Sequence, residues 1–187
     1  AFGGKTVLLD KNSEAINKLS IKIKKKYVVD TLPIEVDITK ENEVKEALVK
    51  IKNKFGKIYG LINNAANNPK IEKIKKAFSR LESLDLKMWH DDINVSLTGG
   101  LICSKYFGSE ISKNSNGGVI INISSDLGII SPDQRLYEEK NLKKESQIVK
   151  PISYSVVKFG IIGLTKYLAT YWADKNVRCN AICPGGI

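Results

Sequence analysis

The sequence predicts an α/β fold, a doubly wound parallel sheet with helices on both faces in three layers, and three observations predict it. Apolar runs of strand length alternate with stretches of helical periodicity. Two early runs close on an acid, and two late ones close on a pair of hydroxyls and on a Pro-Gly turn. The 187 residues, 42% hydrophobic and 27% charged, suffice for one sizeable core, so residues 1–187 are expected to form a single domain.

Residues 5–10 read as a short buried strand closing on Asp10, and residues 11–26 follow as a helix with Ile16, Leu19 and Ile23 at helical spacing. Residues 33–37 form a second strand ending in Asp37; Thr39 then opens a helix over 41–54 with Val44, Leu48 and Ile51 on one stripe. The strand 58–62 is capped by Asn63-Asn64-Ala65-Ala66, where small residues admit a close backbone approach and amides can brace neighbouring strand ends. Residues 67–80 are polar and read as loop with one helical turn. Asp85 opens a long helix through Trp89, Ile93, Leu97, Leu101 and Phe107. Asn94 is a poor helix-interior residue in its middle, and Gly99-Gly100 weakens it further.

Residues 118–125 read as a buried strand ending in Ser124 and Ser125, whose hydroxyls strand alternation sends to opposite sides. Residues 126–153 form a long connection with a charged centre. The helix 152–173 follows, with Gly160 and Gly163 as close-packing positions, and the strand 177–183 closes in the turn Pro184-Gly185.

On the helix 152–173, Tyr154 and Lys158 stand four residues apart. That spacing puts phenol and ammonium on one face, where the cation favours the phenolate and equips Tyr154 to exchange a proton. The same spacing recurs at Tyr171 and Lys175, but that copy has no hydroxyl-bearing strand beside it and reads as helix surface or subunit contact.

Five motifs in order carry a resemblance: Leu61-Ile-Asn-Asn-Ala-Ala66, Asn94 within Asp92-Ile-Asn-Val-Ser-Leu-Thr-Gly99, the Ile-Ser-Ser125 strand end, Tyr154 with Lys158, and Pro184-Gly185. Together they resemble the short-chain dehydrogenase/reductases over nearly the whole chain. Ser131-Pro-Asp-Gln-Arg-Leu-Tyr137, Lys150-Pro-Ile-Ser-Tyr154 and the run from Tyr171 to Asn180 look like the branch of flagellin-modification and surface-polysaccharide oxidoreductases.

The resemblance implies a Rossmann-like three-layer αβα domain that transfers hydride between a nicotinamide cofactor and a hydroxyl or carbonyl carbon. It assigns Tyr154 the proton, Lys158 the phenolate and the nicotinamide ribose, Ser125 the substrate oxygen, and Asn94 a water relay, for which a capped bend is the alternative. It places Asp37 and Ile38 beside the adenine, Asn64, Ala65 and Ala66 against the cofactor, and Pro184 and Gly185 against the nicotinamide; Ala66 stands where the family usually has glycine.

Asp10 argues for NAD over NADP, since an acid there bonds ribose hydroxyls and repels a 2′-phosphate. Lys11 beside it tempers that preference, and a turn residue or helix N-cap is the other reading. The resemblance implies a sugar or sugar-derived substrate and a homodimer or homotetramer, the family commonly pairing through the helices beginning at 85 and 152. The insertion 126–153 is longer than the family commonly has. It reads either as a substrate wall with Arg135 gripping an anionic or sugar group, or as a solvated excursion.

A dinucleotide fold needs a first strand and a glycine-rich turn that meets the pyrophosphate. No such turn precedes Asp10, and Phe2-Gly-Gly4 leads into a strand rather than a helix. With the family's last strand also lacking, the chain is expected to be part of a longer polypeptide or a truncated product. Non-catalytic binding relatives and epimerases or lyases with a retained cofactor are the alternatives.

The formal charge of +10 is almost all lysine, spread over stretches such as residues 21–26 and 71–76 without an arginine cluster, which argues against nucleic acid and leaves an anionic substrate compatible. No run approaches the roughly 20 apolar residues of a membrane helix, so no membrane partner and a cytoplasmic location are expected. His90 is alone, and Cys103, Cys179 and Cys183 form no Cys-x-x-Cys pair. No metal site is expected; Cys179 and Cys183 read as a buried small apolar pair.

Overall fold

The computed structural model describes residues 3–67 and 79–185; the expected polar loop and the lysine-rich stretch at 71–76 lie largely or wholly outside them. Five parallel strands alternate with helices: β1 (Thr6–Asp10), α1 (Ser13–Tyr27), β2 (Thr31–Glu35), α2 (Glu41–Phe55), β3 (Gly60–Asn63), a long helix α3 over residues 86–111, β4 (Gly118–Ile123), α4 (Ile152–Tyr171) and β5 (Val177–Ile182). Every expected strand and helix forms, with ends displaced by one to a few residues.

The strands pair in two groups. β1 runs beside β2, with Leu8 opposite Pro33. In the other group β4 lies between β3 and β5. Among the described residues no ladder joins β1 to β3. Pro33 lacks an N–H, and an edge strand such as β2 tolerates it.

Strand alternation makes three layers. Thr31 faces α1, where its hydroxyl meets Ser20 Oγ at 2.6 Å, while Ile34, three residues on, joins a core cluster with α2 and α3. That cluster buries Val36, Val44, Ala47, Ile51, Cys103 and Phe107. A second one packs Ile111, Ile120, Leu168, Trp172, Val177 and Cys179 between α3, α4, β4 and β5. Ile58 and Leu61 touch both clusters and so tie the two strand groups through one layer of side chains.

The start of α2 is sealed differently from the expectation. Thr39 does not cap it; its N–H and hydroxyl both bond Asp37 Oδ1, at 3.0 and 2.7 Å, and Glu43 reaches back to accept from Asp37 N at 2.7 Å.

Asp85 does cap α3, accepting from Lys87 N at 2.9 Å. The helix is then widened twice by single π turns, at Asn94–Thr98 and Ser104–Gly108. Of the two glycines expected to weaken it, Gly99 has a packing role, since a Cβ there would lie 2.6 Å from Ile38 Cδ1, while one on Gly100 would make ordinary contact with Leu164 Cδ2 at 3.8 Å; further along, a Cβ on Gly108 would lie 2.6 Å from Trp172 Cη2. On α4, Gly160 likewise sits against Leu97, at 2.9 Å, whereas Gly163 meets nothing within 4 Å and is no packing position.

Cys179 is buried, but Cys183 lies past the end of β5 and is half-exposed, so the two do not form the expected buried pair. Burial pushes the Cys103 thiol up to about 12 and Cys179 to about 11. No described helix is long and apolar enough to cross a membrane.

Gly108→Ala is expected to cost about 1–3 kcal/mol by overpacking Trp172, measured by urea unfolding; an unchanged midpoint would contradict the packing. Iodoacetamide at pH 8 is expected to modify Cys183 in the folded chain and all three cysteines after denaturation, and rapid labelling of folded Cys103 would contradict its burial.

Candidate active site

Parallel strands present their carboxyl ends on one edge, and the segments after β2 and at the end of β3 meet adjacent residues of α3. Ile38 packs against Gly99, and Asn63 Nδ2 reaches Gly100 O at 3.5 Å. Asn63 also donates to Ser104 Oγ at 3.1 Å and to Asn122 Oδ1 at 2.8 Å, so the amide braces the neighbouring strand as its position suggested. Asn122, 1% exposed on β4, donates in turn to Thr165 Oγ1 of α4 at 2.9 Å and to Cys179 Sγ of β5 at 3.6 Å.

Beyond Asn122, β4 delivers two serines to different partners. Ser124 Oγ donates to Lys158 O at 2.8 Å, fastening the strand end to α4. Ser125, 6% exposed, donates to Asp126 Oδ1 at 2.7 Å and accepts from Leu127 N at 3.2 Å. Its hydroxyl reaches a substrate only by exchanging the Asp126 bond. Asp126 also receives Leu127 N at 2.7 Å, its own N–H donates to Pro184 O at 3.0 Å, and its carboxylate lies 3.5 Å from where a Gly185 Cβ would be.

Tyr154 stands half-buried in the first turn of α4. Lys158 Nζ, one turn on, lies 5.6 Å from its ring centroid and donates to Ile123 O at 3.0 Å. Lys150 Nζ lies closer, 3.8 Å from the centroid. Burial holds both ammonium groups below the ordinary lysine range; Lys150 adds to the effect on Lys158, while Asp126 opposes it on Lys150. The turn carrying Tyr154 is anchored to α3 by the buried pair Ser153 Oγ to Asp92 Oδ2 at 2.5 Å.

The second Tyr-x-x-x-Lys copy is not a pair. Tyr171 ends α4, and Lys175 lies in the following turn bonded to Asp174 at 3.1 Å, so helical spacing does not apply. Tyr171 instead stacks on Tyr167 with centroids 5.7 Å apart.

At the expected cofactor edge, Asp10 is exposed and accepts from Asn12 N at 2.9 Å, while Asn12 rather than Asp10 caps α1. Thr39 bonding holds the Asp37 carboxyl below the usual range, with Lys40 and Lys11 adding to it. Ile38 turns its side chain under Gly99. Asn64 and Ala65 are exposed and Ala66 half-buried in the coil after β3, and Pro184 and Gly185 are exposed after β5. Asn94 begins the first π turn of α3 and is exposed.

Arg135 is not brought to this site. Its side chain is 83% exposed and its guanidinium is closed by Asp133, at 2.7–3.2 Å over three bonds. The neighbour the insertion does bring in is Tyr137, whose phenol is pushed up by burial and by the charges of Asp126 and Tyr154. Sequence reasoning passed over Lys150, although it precedes Tyr154 by the same four residues by which Lys158 follows it; Pro151 places it ahead of the helix, outside the periodicity that made Lys158 visible. Asp92 and Ser153 gave no spacing signal at all.

The family model described as "Enoyl-(Acyl carrier protein) reductase" matches residues 1–187. The short-chain dehydrogenase/reductase aba4 of Botryotinia fuckeliana is 31% identical over 99% of this chain and 63% of its own length. Post-translational flagellin modification protein A of Campylobacter coli is 26% identical over 98% of this chain and 68% of its own. The crystal structure of an NAD+-bound xylitol dehydrogenase superposes with a TM-score of 0.80 at 26% identity, over 97% of this chain and 60% of that one. The chain thus spans about three fifths of the length of the first of these relatives. With the match running from end to end and the Rossmann-like fold beneath it, the chain belongs to the short-chain dehydrogenase/reductase family.

Proposed function

We propose that this chain carries the proton-transfer centre of an NAD-dependent oxidoreductase acting on a hydroxyl or carbonyl carbon. The observation that carries the reading is Tyr154 one helical turn from the desolvated Lys158, whose ammonium is held by the carbonyl at the end of β4, next to Ser125. A nicotinamide cofactor fits the residues present: exposed Asp10 at the end of β1, the small residues after β3, and backbone-only Gly185 beside Asp126 all follow the carboxyl ends of their strands. When bound, it supplies or accepts the hydride.

Tyr154 gives or takes the proton at its phenolic oxygen. Lys158 favours the phenolate by charge and holds the nicotinamide ribose. Ser125 orients the substrate oxygen after exchanging its Asp126 bond, and Asn94 completes a water relay. Asp10 accepts from the adenosine ribose hydroxyls and disfavours a 2′-phosphate; Asp37 and Ile38 border the adenine, and Asn64, Ala65, Ala66, Pro184 and Gly185 the rest of the cofactor. A sugar-derived substrate on a flagellin or surface-glycan route in the cytoplasm accords with the Campylobacter coli relative. A homodimer or homotetramer accords with the exposed apolar residues Val156, Phe159 and Tyr167 along α4.

In the intact protein Tyr154→Phe is expected to lower turnover by roughly 10²–10⁴-fold while NADH still binds, and Tyr171→Phe to leave turnover at the wild-type level. Equal behaviour of the two variants would sink the assignment.

A further inference from the structure

Lys150 is a charged group at the site that proton transfer does not use. Its backbone is fixed from both sides by the amide of Gln134, which accepts from Lys150 N at 2.8 Å and donates to Lys150 O at 3.4 Å. Gln134 begins the short turn Gln134–Tyr137, so one element of the insertion positions Lys150 and also presents the Tyr137 phenol near Tyr154 and Asp126. Lys150 Nζ stands 3.8 Å from the Tyr154 ring centroid, inside the roughly 6 Å reach of a cation over an aromatic face. A flexible ammonium is thereby held beside the reacting phenol.

The charge balance gives the ligand class. Among the described residues, Lys150 and Lys158 set two ammonium groups against the Asp126 carboxylate at a partly buried site, an excess of one positive charge. Partial burial makes each unpaired charge costly, and a monoanion relieves that cost. Arg135, the arginine of the insertion, is already satisfied by Asp133 in solvent.

We propose that Lys150 anchors the substrate by gripping a carboxylate near the carbon whose hydroxyl or carbonyl meets Tyr154, so that the substrate is a hydroxy or keto acid of sugar type. This rests on the oxidoreductase reading and names the substrate class of the same site.

The test is calorimetric titration of D-gluconate and of sorbitol, which bear a carboxylate and a hydroxymethyl group at the same carbon, into the intact protein with NADH. NADH affinity is measured first on the same samples; its absence from the wild type counts against the oxidoreductase reading, and the acid–polyol comparison is then made on the protein alone. Gluconate is expected to bind roughly tenfold or more tightly than sorbitol, the scale of one hydrogen bond to a charged group. Lys150→Met, which keeps the stem and the backbone bonds to Gln134, should erase the difference without changing NADH affinity, and Lys150→Arg should restore part of it. Equal binding of the two ligands, binding of neither, or a preference that survives Lys150→Met would overturn the proposal.

Discussion

The side chain of Asn122 is the interaction on which the geometry of the site depends. It is fully enclosed, and its amide joins β3 through Asn63, α4 through Thr165 and β5 through Cys179. A buried amide left unpaired costs about 1–3 kcal/mol, so strand register and helix position are fixed together: β4 cannot slide without unmaking bonds on three elements. Two residues further along β4 the same logic fastens Ser124 to the carbonyl of Lys158. Tyr154 and Lys158 therefore stand at a set height above the strand end that carries Ser125.

The electrostatics follow from that placement. α4 packs with Lys158 5% exposed, and the end of β4 answers with a backbone carbonyl rather than a carboxylate. Among the described residues the ammonium meets a carbonyl dipole and no carboxylate. Lys150 arrives from the insertion beside the same phenol: a second cation there makes Lys158 harder to keep charged and makes the site electropositive at short range. Asp126, engaged by Ser125 and Leu127, is the charge that tempers this.

The fold was legible because parallel strands buried on both faces write continuous apolar runs, and helices write a 3.6-residue period. Those signals are local and additive. Thr39 was misplaced as a helix start because its hydroxyl serves Asp37 in a turn, a competition that sequence alone does not decide. Gly99 reads as a weakness of α3 from sequence because its use, admitting Ile38, depends on a residue far away in the chain. At the site, Tyr154 and Lys158 were readable from helix spacing. Arg135 was chosen for its chemistry, and its neighbour Asp133 took it; Lys150 was missed because a loop ending in proline, held by Gln134, positions it by tertiary contacts.

The proposed function requires that the strand ends bearing Asp10, the coil after β3 and Gly185 receive a nicotinamide dinucleotide beside Tyr154. Titration of the intact protein with NADH and with NADPH, followed by nicotinamide fluorescence, tests it most directly. Saturable NADH binding that is tighter than NADPH binding is the predicted result, and absence of binding by either cofactor would contradict the account.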